Sequence, residues 1–259
     1  MKSVTVRNVT IGQGRPKICV PIVNKERVSI LAEAMTFRDM PIDVVEWRAD
    51  WYDHVKDIDK VLETIKMLRD VLEDIPILFT FRTPKEGGAS AIIAQEYEAL
   101  NIAVAESGLV DLIDVEMFSG DEMVTRIIEA AHKNNITVIG SNHDFHKTPE
   151  KDEIVKRLRK MQELGADIPK IAVMPLTKAD VLTLLEATVE MERYADRPII
   201  TMSMGGIGVV SRIAGEIFGS AMTFGAATKA SAPGQLNVKE LADVLEVVHK
   251  NQEIGRAHV

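Results

Sequence analysis

Residues 165–175 read GADIPKIAVMP. A glycine stop, a turn-forming Asp167 and then Ile171, Ala172, Val173 and Met174 describe a buried strand that follows a helix. Lys170 breaks the pattern, because an ammonium at the start of an apolar strand is costly to bury unless other groups offset it. Side chains alternate along a strand, so Ile171 and Val173 take one face, and Lys170 and Ala172 take the other.

The same split recurs upstream. In DVVEWRAD (43–50), Val45 and Trp47 oppose Glu46, Arg48 and Asp50. In ILFTFR (77–82), Phe79 and Phe81 oppose Thr80 and Arg82, and in LIDVE (112–116), Ile113 and Val115 oppose Asp114 and Glu116. Ser141 and His143 share a parity at the end of the next apolar run. These runs belong to a series of eight strand candidates at 17–22, 43–48, 76–82, 111–116, 136–142, 169–174, 198–203 and 220–225. Amphipathic patterns at 61–72, 123–133, 148–165, 181–194 and 238–250 predict helices between and after them, the third opening on Thr148 as N-cap and Pro149. Eight β units, each followed by a helix, predict an α/β protein of the (β/α)8 class, a TIM barrel. The alternation of Val4, Val6, Val9 and Ile11 ahead of a Gly-rich turn predicts an N-terminal β-hairpin, within 1–16, that closes the barrel bottom. No linker splits the chain, so residues 1–259 read as a single domain, and 250–259, without periodicity, read as a flexible tail.

The bulk numbers agree. A chain of 259 residues with 46% hydrophobic content suits one large domain. A net charge of −8 without a Lys/Arg-rich run argues against a nucleic-acid or anionic-membrane surface, so an anionic ligand needs a local basic cluster. The single Cys19 excludes an intramolecular disulfide and a Cys-based zinc cluster. Neither a signal sequence nor an apolar run of roughly 20 residues is present, and a cytoplasmic protein is expected.

In a barrel the apolar sets face the helices and the polar sets point inward, several of them near the C-terminal strand ends where barrels build active sites. The implied cluster is Glu46, Arg48, Arg82, Asp114, Glu116, His143 and Lys170. A structural ion-pair network is the competing reading, as is a snorkelling lysine for Lys170 alone. An apolar, cationic pocket destabilises an ammonium, and the free amine then attacks a ketone or aldehyde to give a Schiff base. The iminium acidifies the adjacent C–H, and His143 titrates in the range needed to remove that proton. Asp114, Glu116 or Glu86 are the carboxylates available to orient the imidazole. An anion clamp is offered by MGGIGVVSRIAGEIFG (204–219), a Gly-rich turn running into a helix that carries Arg212, and by Ser231 and Gln235 in KASAPGQL (229–236). Met202 and Met204 suit either a pocket wall or the core. No metal site is expected, since His143 and His146 lack a second ligand cluster, and neither a GxGxxG after the first strand nor a P-loop is present.

The motifs together resemble the type I 3-dehydroquinate dehydratase family. DVEM (114–117) followed at about twenty residues by VIGSNHDF (138–145) is similar to that family's signature around its catalytic histidine. EWRAD, FTFRTPKEGG, GADIPKIAVMP, TMSMG, GVVSRIAGEIFGSAMTFG and KASAPGQL follow in the family's order, so the resemblance spans about 17 to 249. Gly206 departs from it, where the family pattern carries a polar or basic residue. The resemblance implies a shikimate-pathway lyase of aromatic amino acid biosynthesis that dehydrates 3-dehydroquinate to 3-dehydroshikimate. It needs no cofactor or metal and works as a homodimer. It further implies that Lys170 forms the imine, that His143 is general base and acid, that Glu86 pairs with the imidazole and that Asp114 sits behind it. Arg212, with Ser231 and Gln235, would hold the substrate carboxylate. Glu46, Arg48 and Arg82 would hold the ring hydroxyls, and Met202, Met204 and Phe224 would complete the pocket. Two alternatives stand beside it: a class I aldolase-like barrel that uses the same lysine on a phosphorylated sugar, and a metabolite-binding barrel without catalysis.

Overall fold

The computed structural model describes residues 3–228 and 231–256. Lys229 and Ala230 of the expected KASAPGQL loop lie outside the described residues, as do the two residues at the start and the last three of the expected tail. Eight parallel strands form one sheet that curls almost to closure: β3 (Lys17–Ile22), β4 (Val44–Arg48), β5 (Ile77–Thr80), β6 (Leu112–Glu116), β7 (Thr137–Asp144), β8 (Ile168–Val173), β9 (Ile200–Ser203) and β10 (Met222–Phe224). Their order in space follows the chain, with β10 returning to pair with β3. The seam lies between β9 and β10. One isolated bridge joins Ile199 to Ser220 there, and the Ser220 hydroxyl supplements the ladder by accepting from the Thr201 amide at 3.0 Å and donating to its carbonyl at 3.2 Å.

The alternation read from sequence holds around the ring. Val45, Trp47, Phe79, Phe81, Ile113, Val115, Ile171 and Val173 are buried in the layer between sheet and helices. The opposite parity fills the barrel with Cys19, Val44, Leu78, Leu112, Ile139, Ile168 and Ile200 at its lower levels. Strands β1 (Val4–Val6) and β2 (Val9–Ile11) pair antiparallel, and their buried Val6 and Ile11 pack under this interior set, so the expected hairpin does plug the bottom. Arg7 ties the plug to the barrel through a 2.5 Å ion pair with Asp111, just ahead of β6.

The helices α2 (Ile58–Leu72), α4 (Asp121–Lys133), α5 (Lys151–Glu163) and α6 (Lys178–Glu190) match the amphipathic patterns to within a few residues. Between strands lie two more, α1 (Arg27–Met35) and α3 (Ala94–Ser107). The buried stripe of α3 is Tyr97, Leu100, Asn101, Val104 and Ala105, in which an asparagine and an alanine blur the apolar signal. Three details differ from expectation. Thr148 does not cap α5; its hydroxyl donates instead to the Met174 carbonyl at 3.1 Å. The helix expected to carry Arg212 is two single turns, α7 (Val210–Ile213) and α8 (Gly215–Phe218). They are broken where Gly215 approaches the Ser220 carbonyl so closely that a Cβ would lie 2.8 Å from it. The last helix, α9 (Val238–Arg256), continues past its apolar repeat.

Candidate active site

Strand register brings the polar residues together. Thr80 of β5 lies opposite Asp114 of β6, Glu116 opposite Ser141 of β7, and Ser141 opposite Lys170 of β8. All of these point inward by parity. Asp114 is the hub: its Oδ2 is 3.3 Å from the Lys170 ammonium, and its Oδ1 accepts from Arg82 Nη2 at 2.7 Å and from Ser141 at 2.6 Å. Arg82 also reaches Glu116 at 3.2 Å, and Glu116 is fixed in turn by the amide and hydroxyl of Thr83, each at 2.7 Å. The pocket around Lys170 therefore has mixed charge rather than the apolar, cationic character expected, with Phe224 closing the other side of the ammonium at 4.4 Å.

His143 follows Ser141 by one inward step. Its Nδ1 is 2.9 Å from Glu86 Oε2, and the same oxygen accepts the His143 backbone amide at 3.0 Å. Glu86 sits on a 3-10 turn (Pro84–Glu86) whose left-handed closing residue, Gly87, faces the Phe145 ring; a Cβ there would lie 2.4 Å from that ring. Phe145 stacks on the imidazole, with ring centroids 6.4 Å apart. With Glu86 ionised, Nδ1–H donates to it and Nε2 presents its lone pair, which is the base form.

Burial and charge set the protonation states. Burial pulls the His143 pKa well below its ordinary value, and the charges of Arg82, Lys170 and Arg48 push the same way. Burial raises Glu86 well above the usual carboxylate range against the lowering effect of Arg82. For Asp114, burial would raise the pKa, but Arg82, Lys170 and the Ser141 hydrogen bond outweigh it and hold the carboxyl below its ordinary value. Arg82 is likewise buried, yet its carboxylates keep it protonated.

Across the barrel, Arg212 is 1% exposed and pairs with no carboxylate among the described residues. It donates to the carbonyls of Pro233 at 3.1 Å and Phe224 at 3.5 Å, its Nε has no partner, and burial lowers its pKa to about 10. Ser231 and Gln235 bond to each other beside it. Opposite, Arg48 is clamped by Asp50 through two bonds of 2.8 and 2.9 Å, and Glu46 accepts from Thr80 at 2.9 Å.

One cavity joins these groups. Of the residues proposed from sequence, Glu46, Arg48, Arg82, Glu86, His143, Lys170, Met202, Met204, Arg212, Phe224, Ser231 and Gln235 line it, and Asp114 lies beneath, fully buried. Sequence reasoning did not place Phe145, Ala172, Gly87 or Ala232 there. It also gave no role to Asp50, which besides holding Arg48 accepts the Ala89 amide and so anchors the segment that carries Glu86. The alternation in EWRAD marked Asp50 as inward-facing, but only the fold shows what it holds. Gly206, where the sequence departs from the family pattern, has open space around its Cβ position, so the departure disturbs no packing.

Comparison with known proteins supplies the rest. The family model for type I 3-dehydroquinase matches residues 18–252. The chain belongs to the type I 3-dehydroquinase family. It is 58% identical to the 3-dehydroquinate dehydratase of Salmonella agona over 96% of this chain and all of that one. A solved type I 3-dehydroquinate dehydratase from Clostridium difficile, bearing covalently modified comenic acid, superposes with a TM-score of 0.94 at 56% identity over 96% of this chain and 98% of that one. The 3-dehydroquinate dehydratase of Geobacillus kaustophilus gives 0.92 at 38% identity, over 96% and 97%. Membership of the type I 3-dehydroquinase family sets aside the aldolase-like and binding-barrel alternatives. Among the described residues no helix is long and apolar enough to cross a membrane.

Proposed function

We propose that this chain dehydrates 3-dehydroquinate to 3-dehydroshikimate through an imine on Lys170. The supporting observation is a buried guanidinium, Arg212, without a carboxylate partner among the described residues, in the same cavity as a buried lysine and a histidine paired with Glu86. A buried Arg that faces the cavity with no carboxylate partner among the described residues is complementary to a carboxylate ligand, and a bidentate pair with it would fix the ring at one end. Ser231 and Gln235 supply polar contacts beside that pair, while Arg48, Glu46 and Arg82 face the ring hydroxyls from β4 and β5. Met202, Met204 and Phe224 form the apolar wall.

The amine of Lys170 adds to the C3 carbonyl and water leaves, giving an iminium. His143 Nε2 removes the C2 proton, and the electrons form the enamine. The enamine expels the C1 oxygen, which takes a proton from His143 and departs as water, and hydrolysis of the iminium frees the product and the amine. Glu86 orients the imidazole and Asp114 supplies the counter-charge beneath the lysine. No cofactor takes part in this scheme. The same reading covers a cytoplasmic homodimer, the assembly being checked by sedimentation equilibrium. The direct test of the mechanism is borohydride reduction in the presence of 3-dehydroquinate followed by intact-mass and peptide analysis. An adduct on Lys170 supports it, and normal turnover with no trapped adduct rejects it.

A further inference from the structure

We infer that Asn142 and Arg157 are positioning residues that lock Glu86 into the acceptor role which makes His143 a base. The inference rests on the reading of His143 and Glu86 given above. Asn142 lies between Ser141 and His143 on β7, so its parity turns it away from the barrel interior and toward the helix layer. Its side chain there spans two partners. Nδ2 is 3.1 Å from Glu86 Oε1, and Oδ1 is 3.1 Å from Nη1 of Arg157 on α5. Arg157 is itself braced by Glu153, whose Oε1 accepts its Nε at 2.8 Å.

Donor and acceptor chemistry makes this chain directional. A guanidinium only donates, so the Asn142 atom facing it is the carbonyl oxygen. The amide NH2 must then face Glu86. With Oε1 taken by that NH2 and Oε2 by the His143 backbone amide, both Glu86 oxygens are acceptors, an arrangement that favours the carboxylate and works against the burial that raises its pKa. Without Arg157 the asparagine amide is free to flip and offer its oxygen to Glu86, which then keeps a proton. A Glu86 protonated on Oε1 has lost the negative charge beside Nδ1, so the imidazolium that forms when His143 takes a proton is no longer stabilised and Nε2 is the weaker base. The other charged groups around the pair are Arg82 at the end of β5, Asp114 and Glu116 on β6, Lys170 on β8 and Arg48 on β4. None of them touches Asn142, so the effect of Arg157 is separable from theirs.

The test is the pH profile of kcat for Arg157→Met, Arg157→Lys and Asn142→Leu on 3-dehydroquinate. The Arg157 side chain is about a quarter exposed (23%), so its replacement by Met leaves the fold intact, which thermal melting checks. A hydrogen bond to a charged group is worth roughly a factor of ten, equivalent to about one pH unit. Arg157→Met is expected to move the acidic limb up by about one unit and to lower kcat about tenfold at neutral pH, with KM little changed. Arg157→Lys, which also only donates, is expected to restore most of both, and Asn142→Leu to reproduce the shift whatever stands at 157. An acidic limb that stays in place in both Arg157→Met and Asn142→Leu, beside an active wild type, overturns this inference alone. A wild type without dehydratase activity overturns the reading beneath it.

Discussion

The ammonium of Lys170 stands 3.3 Å from Oδ2 of Asp114, and both side chains are almost wholly buried. They sit on strands two apart in the ring, β6 and β8, and the strand between them contributes Ser141, which bonds to the same carboxylate. Asp114 thus keeps Arg82 and Ser141 as partners independently of the lysine.

That redundancy governs what Lys170→Ala does. Asp114 retains two partners, so the protein folds, and the Arg212 end of the pocket still binds the carboxylate. Turnover is expected to vanish while calorimetry detects non-covalent binding of 3-dehydroquinate. Dehydration near the wild-type rate would rule out the imine.

His143→Ala separates capture from proton transfer. Lys170 is intact, so the iminium forms, but C2 keeps its proton. Loss of general acid–base catalysis costs about 10²- to 10⁴-fold, and the upper end is expected because one side chain serves two transfers. Borohydride should trap an adduct of substrate mass on Lys170, where wild type traps product. Near-normal turnover would hand the role of base to a carboxylate such as Glu46.

Arg212→Met should change binding and stability in opposite senses. Losing the guanidinium in a sheltered site costs roughly 2–5 kcal/mol of carboxylate binding, tens- to thousands-fold in affinity. The empty protein is relieved of an unpaired buried charge, so its melting temperature should be no lower than that of wild type. Titration of 3-dehydroquinate and a thermal melt of the empty protein check the two halves; unchanged affinity would remove Arg212 from the site.

Glu86→Gln makes a prediction about pH. Burial raises the folded-state pKa of Glu86 above its unfolded value of about 4.3, so the folded chain holds a proton that the unfolded chain releases. The contribution of this group is therefore fully present below about pH 4.3 and is lost as the pH rises toward the raised value. Glutamine cannot ionise. The variant should melt with wild type near pH 4 and above it near pH 8, while losing activity at both. A stability difference that does not change with pH would contradict the assignment.

The ring of strands and its inward polar face were legible because alternation is a local signal: EWRAD, LIDVE and PKIAV each show both faces within five residues. The pairing of Asp114 with Lys170 was not, since it depends on register across three strands; the reading placed both in one inward cluster but not in contact. Asn142 was passed over for a related reason, its parity marking it as helix-facing, and nothing in the sequence links it to Arg157 fifteen residues on. The break between α7 and α8 follows from the seam, where the chain must clear the Ser220 carbonyl, a contact between distant segments that periodicity within 204–219 cannot reveal.

The plug made by β1 and β2 has a bearing on traffic. With Val6 and Ile11 packed beneath the lower interior, the chamber is blind-ended and substrate, product and solvent share one doorway. On the proposed mechanism two waters are shed within the chamber for each one consumed, the first when the imine forms and the second from C1. The molecule that later hydrolyses the product iminium can be one already inside, so no inbound solvent has to pass an occupied mouth. With one doorway, product would have to leave before the next substrate enters.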